Sequence, residues 1–276
     1  MKTNFVPRMS SLILLLWVAP NLFADATWEG KSSQWRGFER YDFELDGLRC
    51  HVVLPEAPAK GRPWVWRARF PSYHVEPDLL LLEQGFHIAH IDTGGMLGSP
   101  KALEYWDAFY DLMTGKHGMS RKPALVAVSR GGLFAYRWAA LNPKCVACIY
   151  GDVPVCDFRS WPLGQGSGIG HEQTWQNLLR EYALTHEQAL MYDKNPIDVL
   201  APMAEQKIPL LHVVSLNDRI VPADENTFVL AKRYRKLGGS IAIVAVKDGT
   251  KESNGHHFEH PDPNRVADFI QKHAQQ

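Results

Sequence analysis

Apolar and polar positions change period several times along the chain, and each change predicts an element. "YDFELDGLRCHVVLPE" alternates and turns at Asp46-Gly47, which predicts a hairpin. "RPWVWRARF" and "FHIAHID" are short apolar runs and read as buried strands. Between them "EPDLLLLEQG" opens on acids and closes on Gly85, the pattern of a helix. "SPKALEYWDAFYDLMTGKHG" puts Leu103, Trp106, Phe109, Tyr110 and Met113 at helical spacing, with Ser99 as N-cap and Pro100 in the first turn. "PALVAVS" is continuously apolar, as a central parallel strand covered on both faces should be. "GGLFAYRWAALNP" predicts a helix and "CVACIYGDVP" another strand.

The rhythm then breaks. From about Pro154 to Met203 there is a glycine-rich loop and helical pattern without an obvious strand. Alternation resumes with "IPLLHVVSLND" (strand), "ADENTFVLAKRYRKLGG" (helix), "SIAIVAVKDG" (strand) and "PNRVADFIQKHA" (helix). This order predicts an α/β fold with a mostly parallel central sheet and helices on both faces. The interruption at 154–203 reads as a small lid insertion over the carboxyl ends of the strands, where such sheets bind ligands.

Composition narrows the picture further. The chain has 276 residues, 45% hydrophobic and 22% charged, compatible with one large α/β domain. Formal net charge is zero, with no basic stripe or acidic tail, so nothing points to nucleic acid or another polyanion. At the amino terminus, Lys2 and Arg8 precede the short apolar core "SLILLLWVAP", and Ala24-Asp25-Ala26 follows. That is the three-part pattern of a signal peptide over 1–26, cleaved after Ala26 or Ala24. The expectation is a periplasmic or secreted domain over 27–276, free of the membrane once cleaved. A retained anchor is the alternative, against which the apolar core is short for a bilayer. Cys50, Cys145, Cys148 and Cys156 read as small packing residues, with room for one bridge in an exported protein.

Candidate chemistry lies at three strand ends. In "VAVSRGGLFAYRW" an apolar run stops at Ser129 and turns through Gly131 and Gly132. Ala127-x-Ser129-x-Gly131 approximates the Gly-x-Ser-x-Gly elbow, in which small residues let a strained serine stand at a sharp turn. A serine needs a base to become a nucleophile. In "SLNDRIVP", Asp218 follows a strand and could fix the tautomer of an imidazole, with Asp224 as cap of the next helix. In "SNGHHFEHPDP", His256 or His257 could be that base. His256, His257 and His260 also cluster as the ligands of a metal site would, but neither "HEQTW" nor "HEQAL" supplies a second histidine at helical spacing. The reading therefore takes no metal and no cofactor.

The order serine, aspartate, histidine at successive strand ends resembles the α/β-hydrolase superfamily over essentially the whole mature chain. "GHHFEHPDP" is similar to the family's Gly-x-Gly-His loop, and that register favours His256 over His257. The family's His-Gly pair after the third strand has no counterpart, and Ala68-Arg69 stands in its place. The resemblance then implies an oxyanion hole from the N–H of Arg130 and one from Arg69 or Phe70, each donor worth about 3–4 kcal/mol in the transition state. "WVWRARF", "VSRGGL" and "GHHFEHPDP" together resemble secreted bacterial members linked to carbohydrate esterases, including acetyl esterases. This implies a serine esterase acting on a small-molecule or polysaccharide ester. Alternatives on the same fold are a prolyl-oligopeptidase-like peptidase and a non-catalytic binding domain. Trp161 and Trp175 in the insertion are candidate substrate-binding faces, while Trp66 reads as core. Arg69 and Arg130 could bind an acidic group on the substrate, or pair with Asp92, Asp152 or Asp157.

Overall fold

The predicted hairpin forms with its turn at Asp46-Gly47, both in the left-handed region (φ 51° and 80°). It joins β2 (Phe38–Leu45) to β3 (Leu48–Val53), Leu45 facing Leu48. The computed structural model describes residues 28–275 and residue 1, so the signal-peptide segment lies outside the described residues except for Met1. One strand was not foreseen. β1 (Lys31–Trp35) is the polar edge "KSSQW", antiparallel to β2 and mostly exposed.

The remaining strands are β4 (Trp64–Arg67), β5 (His87–Ile91), β6 (Ala124–Val128), β7 (Cys148–Asp152), β8 (Leu210–Ser215) and β9 (Ile241–Val246). All nine join one sheet in the order β1-β2-β3-β5-β4-β6-β7-β8-β9. The first three are antiparallel, β3 meets β5 antiparallel, and the run from β5 through β4 to β9 is parallel. Strand alternation divides the core in two. Leu125 and Ala127 of β6 face one apolar layer, and Ala124, Val126 and Val128 face the other.

The helices are α1 (Glu76–Glu83), α2 (Pro100–Asp111), α3 (Gly132–Leu141), α4 (Glu172–Tyr182), α5 (His186–Leu190), α6 (Ala201–Glu205), α7 (Thr227–Lys236) and α8 (Pro263–Ala274). α1 and α8 cover one face through Leu81, Leu82, Val266 and Ile270. α2, α3, α4 and α7 cover the other, where Trp66 stacks on Trp106 at 4.3 Å. Ser99 caps α2 as expected, its hydroxyl accepting from the Ala102 N–H. The cap foreseen at Asp224 is displaced: α7 begins at Thr227, with Asn226 in the cap position. The Asn226 amide instead accepts from the Cys156 and Asp157 N–H groups, tying α7 to the segment after β7. That segment contains α4 to α6 and no strand, and its Phe158, Trp175 and Leu178 are packed into the core. All four cysteines are free thiols, three of them buried, with no bridge among them. No helix among the described residues is long and apolar enough to cross a membrane.

Candidate active site

β6 ends, and the chain turns at once into α3 through a single 3-10 turn over Ser129–Gly131. Ser129 sits in the left-handed region at φ 50°. For a non-glycine residue this conformation costs about 1–3 kcal/mol and persists only where the surroundings enforce it. Here the enforcement is visible. The Ser129 carbonyl accepts from the Val155 N–H at 2.8 Å, and a Cβ on Gly132 would lie 2.2 Å from the Val155 oxygen. Gly131 is tight but less so, since its Cβ would meet Ala68 and Arg69 at 3.3 Å. The elbow therefore closes chiefly because residue 132 has no side chain. Phe70 (φ 51°) and Val153 (φ 42°) are also left-handed and, like Ser129, line the same cleft. Strain of this kind collects at functional sites.

Three side chains from three strand ends meet at the elbow. Asp218, just past β8, is buried, and its Oδ1 accepts from the Ile220 and Val221 N–H groups at 2.8 and 2.9 Å. Its Oδ2 accepts from His256 Nδ1 at 2.7 Å. This fixes the proton on Nδ1 and leaves Nε2 as acceptor for the Ser129 hydroxyl, 3.0 Å away. Asp218 is at once the turn aspartate and the imidazole's partner. The loop that carries His256 is tied to the Asp218 loop, because the Arg219 N–H donates to the Asn254 carbonyl and the Gly249 N–H to the Asn217 side chain. His257 faces the cleft but is not in this chain of bonds; its own N–H goes to Ser253. Burial first, with the neighbouring His256 adding to it, pushes the His257 imidazole down from its ordinary range. His260 is elsewhere again, bonded to the Tyr150 hydroxyl at 2.9 Å. Among the described residues no three His, Cys, Asp or Glu side chains converge as metal ligands.

The chain between β4 and α1 borders the elbow on the other side. Arg67 is buried and holds this loop from within, donating to the Phe70 and Tyr73 carbonyls and to Asp78 at 2.6 Å. The Arg69 and Phe70 N–H groups find no backbone acceptor among the described residues. The Arg69 N–H lies against Gly131, at the elbow itself. Arg130 is the second residue of the helical turn that Ser129 begins, where first-turn N–H groups have no acceptor within the helix. Both candidate donor sets for an oxyanion thus lie beside Ser129.

A cleft of about 460 Å³ opens at this point. Its walls include Phe70, Tyr73, Val153, Trp161, Ile220 and His257, and no carboxylate lines it among the described residues. A larger hollow of about 570 Å³ beside Tyr41 and Leu54 lies at the antiparallel edge of the sheet, where no nucleophile is placed. Of the two tryptophans proposed for substrate, Trp161 lines the cleft and Trp175 does not. Trp175 is 2% exposed, edge-on to Phe158, with its indole N–H on His186. It shares the inward face of α4 with Leu178 and Tyr182, while Thr174 and the capping His171 are what this helix and its cap present to the cleft.

His74, which sequence reasoning passed over, completes the surroundings. His74 donates to Asp152 Oδ2 at 2.6 Å and to the Phe258 carbonyl at 2.8 Å. Burial alone would lower its pKa, but the bond and charge of Asp152, with the carbonyl, outweigh burial and raise it above the ordinary imidazole value. Asp152, weighed above as a partner for arginine, is thereby taken by His74. Asp92 takes Arg69 at 2.9 Å, and Asp157 takes Arg159.

No protein-family model and no curated protein matches the sequence. Solved structures do match. An acylaminoacyl peptidase in complex with Z-Gly-Gly-Phe-chloromethyl ketone superposes with a TM-score of 0.63 at 17% identity, over 87% of this chain and 42% of its own. The fold is that of an α/β-hydrolase. The Pyrococcus horikoshii acylaminoacyl peptidase gives 0.61 at 15% identity over 87% of this chain and 42% of its own. Porphyromonas gingivalis dipeptidyl peptidase 4 gives 0.61 at 13% over 87% and 36%. The chain spans less than half the length of the structures it matches. Within this fold, Ser129, Asp218 and His256 stand after β6, β8 and β9.

Proposed function

We propose that this protein is a serine hydrolase that cleaves acyl bonds through an acyl-enzyme on Ser129. The observation that carries the reading is the continuous chain from Asp218 through His256 to Ser129, with links of 2.7 and 3.0 Å. In this reading His256 Nε2 removes the hydroxyl proton as Ser129 Oγ attacks the carbonyl carbon. Asp218 stabilises the imidazolium that results, and His256 then returns the proton to the leaving group. The oxyanion rests on the Arg130 N–H and on that of Arg69 or Phe70. Water, activated by the same imidazole, releases the acyl group. The chemistry calls for no cofactor.

Two substrate classes fit this machinery. The names of the solved structures support a peptidase of the prolyl-oligopeptidase kind more directly than the carbohydrate esterase that the sequence motifs resemble. An amino-terminal peptidase would want an acid in the cleft to meet a cationic terminus. None lines it among the described residues, which favours a blocked or internal peptide bond. The ester reading draws its support from the flat faces of Phe70 and Trp161, which suit a sugar ring or an aromatic acyl group. The substrate would be met outside the cytoplasm, a placement that rests on the signal-like sequence at 1–26 alone.

The discriminating experiment is a panel of acetylated xylan, feruloyl, methyl-uronate and short p-nitrophenyl esters beside blocked and unblocked peptide anilides, with Ser129→Ala as control. Turnover of one class, reduced roughly 10⁶-fold by the substitution, is expected. Turnover that survives Ser129→Ala would overturn the reading.

A further inference from the structure

The Arg130 side chain is a feature of the cleft that the triad leaves unexplained. Its side chain lines the cleft beside Ser129, with the guanidinium carbon 5.2 Å from the Phe70 ring and 6.0 Å from the Trp161 ring. A cation held on two aromatic faces is pre-oriented, yet those faces do not satisfy its N–H donors. The acids that might have neutralised it are engaged elsewhere: Asp92 with Arg69 and Arg49, Asp152 with His74, Asp157 with Arg159. No carboxylate pairs with Arg130 among the described residues, and its buried Nε has no hydrogen-bond partner. Burial first, and then the neighbouring Arg69, work against its charge. A guanidinium placed so beside a nucleophile lacks a bidentate anion, and a carboxylate matches its fork.

We propose that Arg130 anchors a carboxylate subsite, so that the preferred substrate carries an acidic group close to the scissile acyl bond. This rests on the serine-hydrolase reading and narrows it. The carboxylate can belong to the acyl group, to the leaving alcohol of an ester, or to a peptide, and matched pairs tell these apart. The acyl pair is p-nitrophenyl hydrogen glutarate against p-nitrophenyl pentanoate. The leaving-group pair is 4-carboxyphenyl acetate against 4-carbamoylphenyl acetate. The peptide pair is an N-succinyl against an N-acetyl dipeptide p-nitroanilide.

In at least one pair the acidic member should be favoured in kcat/KM by roughly 10- to 100-fold, since bonds to a charged group carry about that much discrimination. The quantity read is the acid-to-neutral ratio, whatever loss the two members share. Arg130→Gln should bring the ratio close to one, Arg130→Lys should restore part of it, and added salt should lower it in the wild type. A wild type without acid preference in any pair overturns the subsite. So does an Arg130→Gln protein that loses both members equally, which would assign the side chain to the oxyanion or to structure. If the wild type turns over no pair and no fluorophosphonate labels it, the hydrolase reading has failed separately. The subsite is then decided by calorimetric titration of the full chain with glutarate: binding lost in Arg130→Gln upholds it, and no binding overturns it.

Discussion

His74 donates one ring N–H to Asp152 at 2.6 Å and the other to the Phe258 carbonyl at 2.8 Å, so a single imidazolium joins the end of β7 to the loop that carries His256. Both side chains are shielded, 8% and 0% exposed. Removing the cation leaves Asp152 charged and buried without a partner, which costs about 3–5 kcal/mol. His74→Gln should therefore lower the unfolding free energy by roughly that amount, measured by urea titration near neutral pH. The effect should also depend on pH in a definite direction. The folded-state pKa of His74 is raised above 6.5, so its contribution is fully present below 6.5 and is lost as pH rises through the folded value. The gap between wild type and His74→Gln should be widest in mild acid and narrow in alkali. A gap that widens with rising pH would contradict a charged His74.

Asp218→Asn should keep the fold and lose the chemistry. The asparagine oxygen can still accept from the Ile220 and Val221 N–H groups, so the turn survives. Its amide cannot hold the Nδ1–H tautomer or stabilise an imidazolium. By analogy with other serine triads, kcat should fall about 10⁴-fold with a nearly unchanged melting temperature. Turnover within tenfold of wild type would show that His256 does not depend on Asp218.

The two glycines of the elbow should respond differently. A methyl at 132 meets the Val155 carbonyl at 2.2 Å, backbone that cannot move without opening the Ser129–Val155 bond. A methyl at 131 meets Ala68 and Arg69 at 3.3 Å, which a small shift relieves. Gly132→Ala should cost about 1–3 kcal/mol or more, and Gly131→Ala distinctly less, compared by thermal unfolding. Equal losses would argue against the packing described at this corner.

What the sequence made legible were the features written in local pattern. Ser129 directly follows β6, Asp218 lies in the turn past β8 and His256 in the loop after β9, and their order could be read without knowing any distance. β1 escaped because an exposed edge strand needs no apolar alternation, and "KSSQW" has little. His74 and Arg67 escaped for another reason. Asp152 lies 78 residues from His74, and Arg67 turns to the Phe70 and Tyr73 carbonyls, which have no side-chain signature, and to Asp78 on the next element, which local pattern does not single out. Trp175 was misplaced because an aromatic residue in a loop-rich insertion resembles a ligand face. The signal that corrects it was present: Trp175, Leu178 and Tyr182 repeat at i, i+3 and i+7, which is the spacing of a buried stripe. Arg130 illustrates the converse. Its position was plain, but only the structure shows Asp92, Asp152 and Asp157 each engaged with another partner.

Ser129 as the nucleophile is tested most directly by labelling the purified protein with a fluorophosphonate and mapping the modified peptide. The geometry predicts one adduct, on Ser129, formed rapidly by the wild type, strongly slowed in His256→Ala and absent in Ser129→Ala. An adduct on another residue, or no adduct on a folded protein, would contradict it.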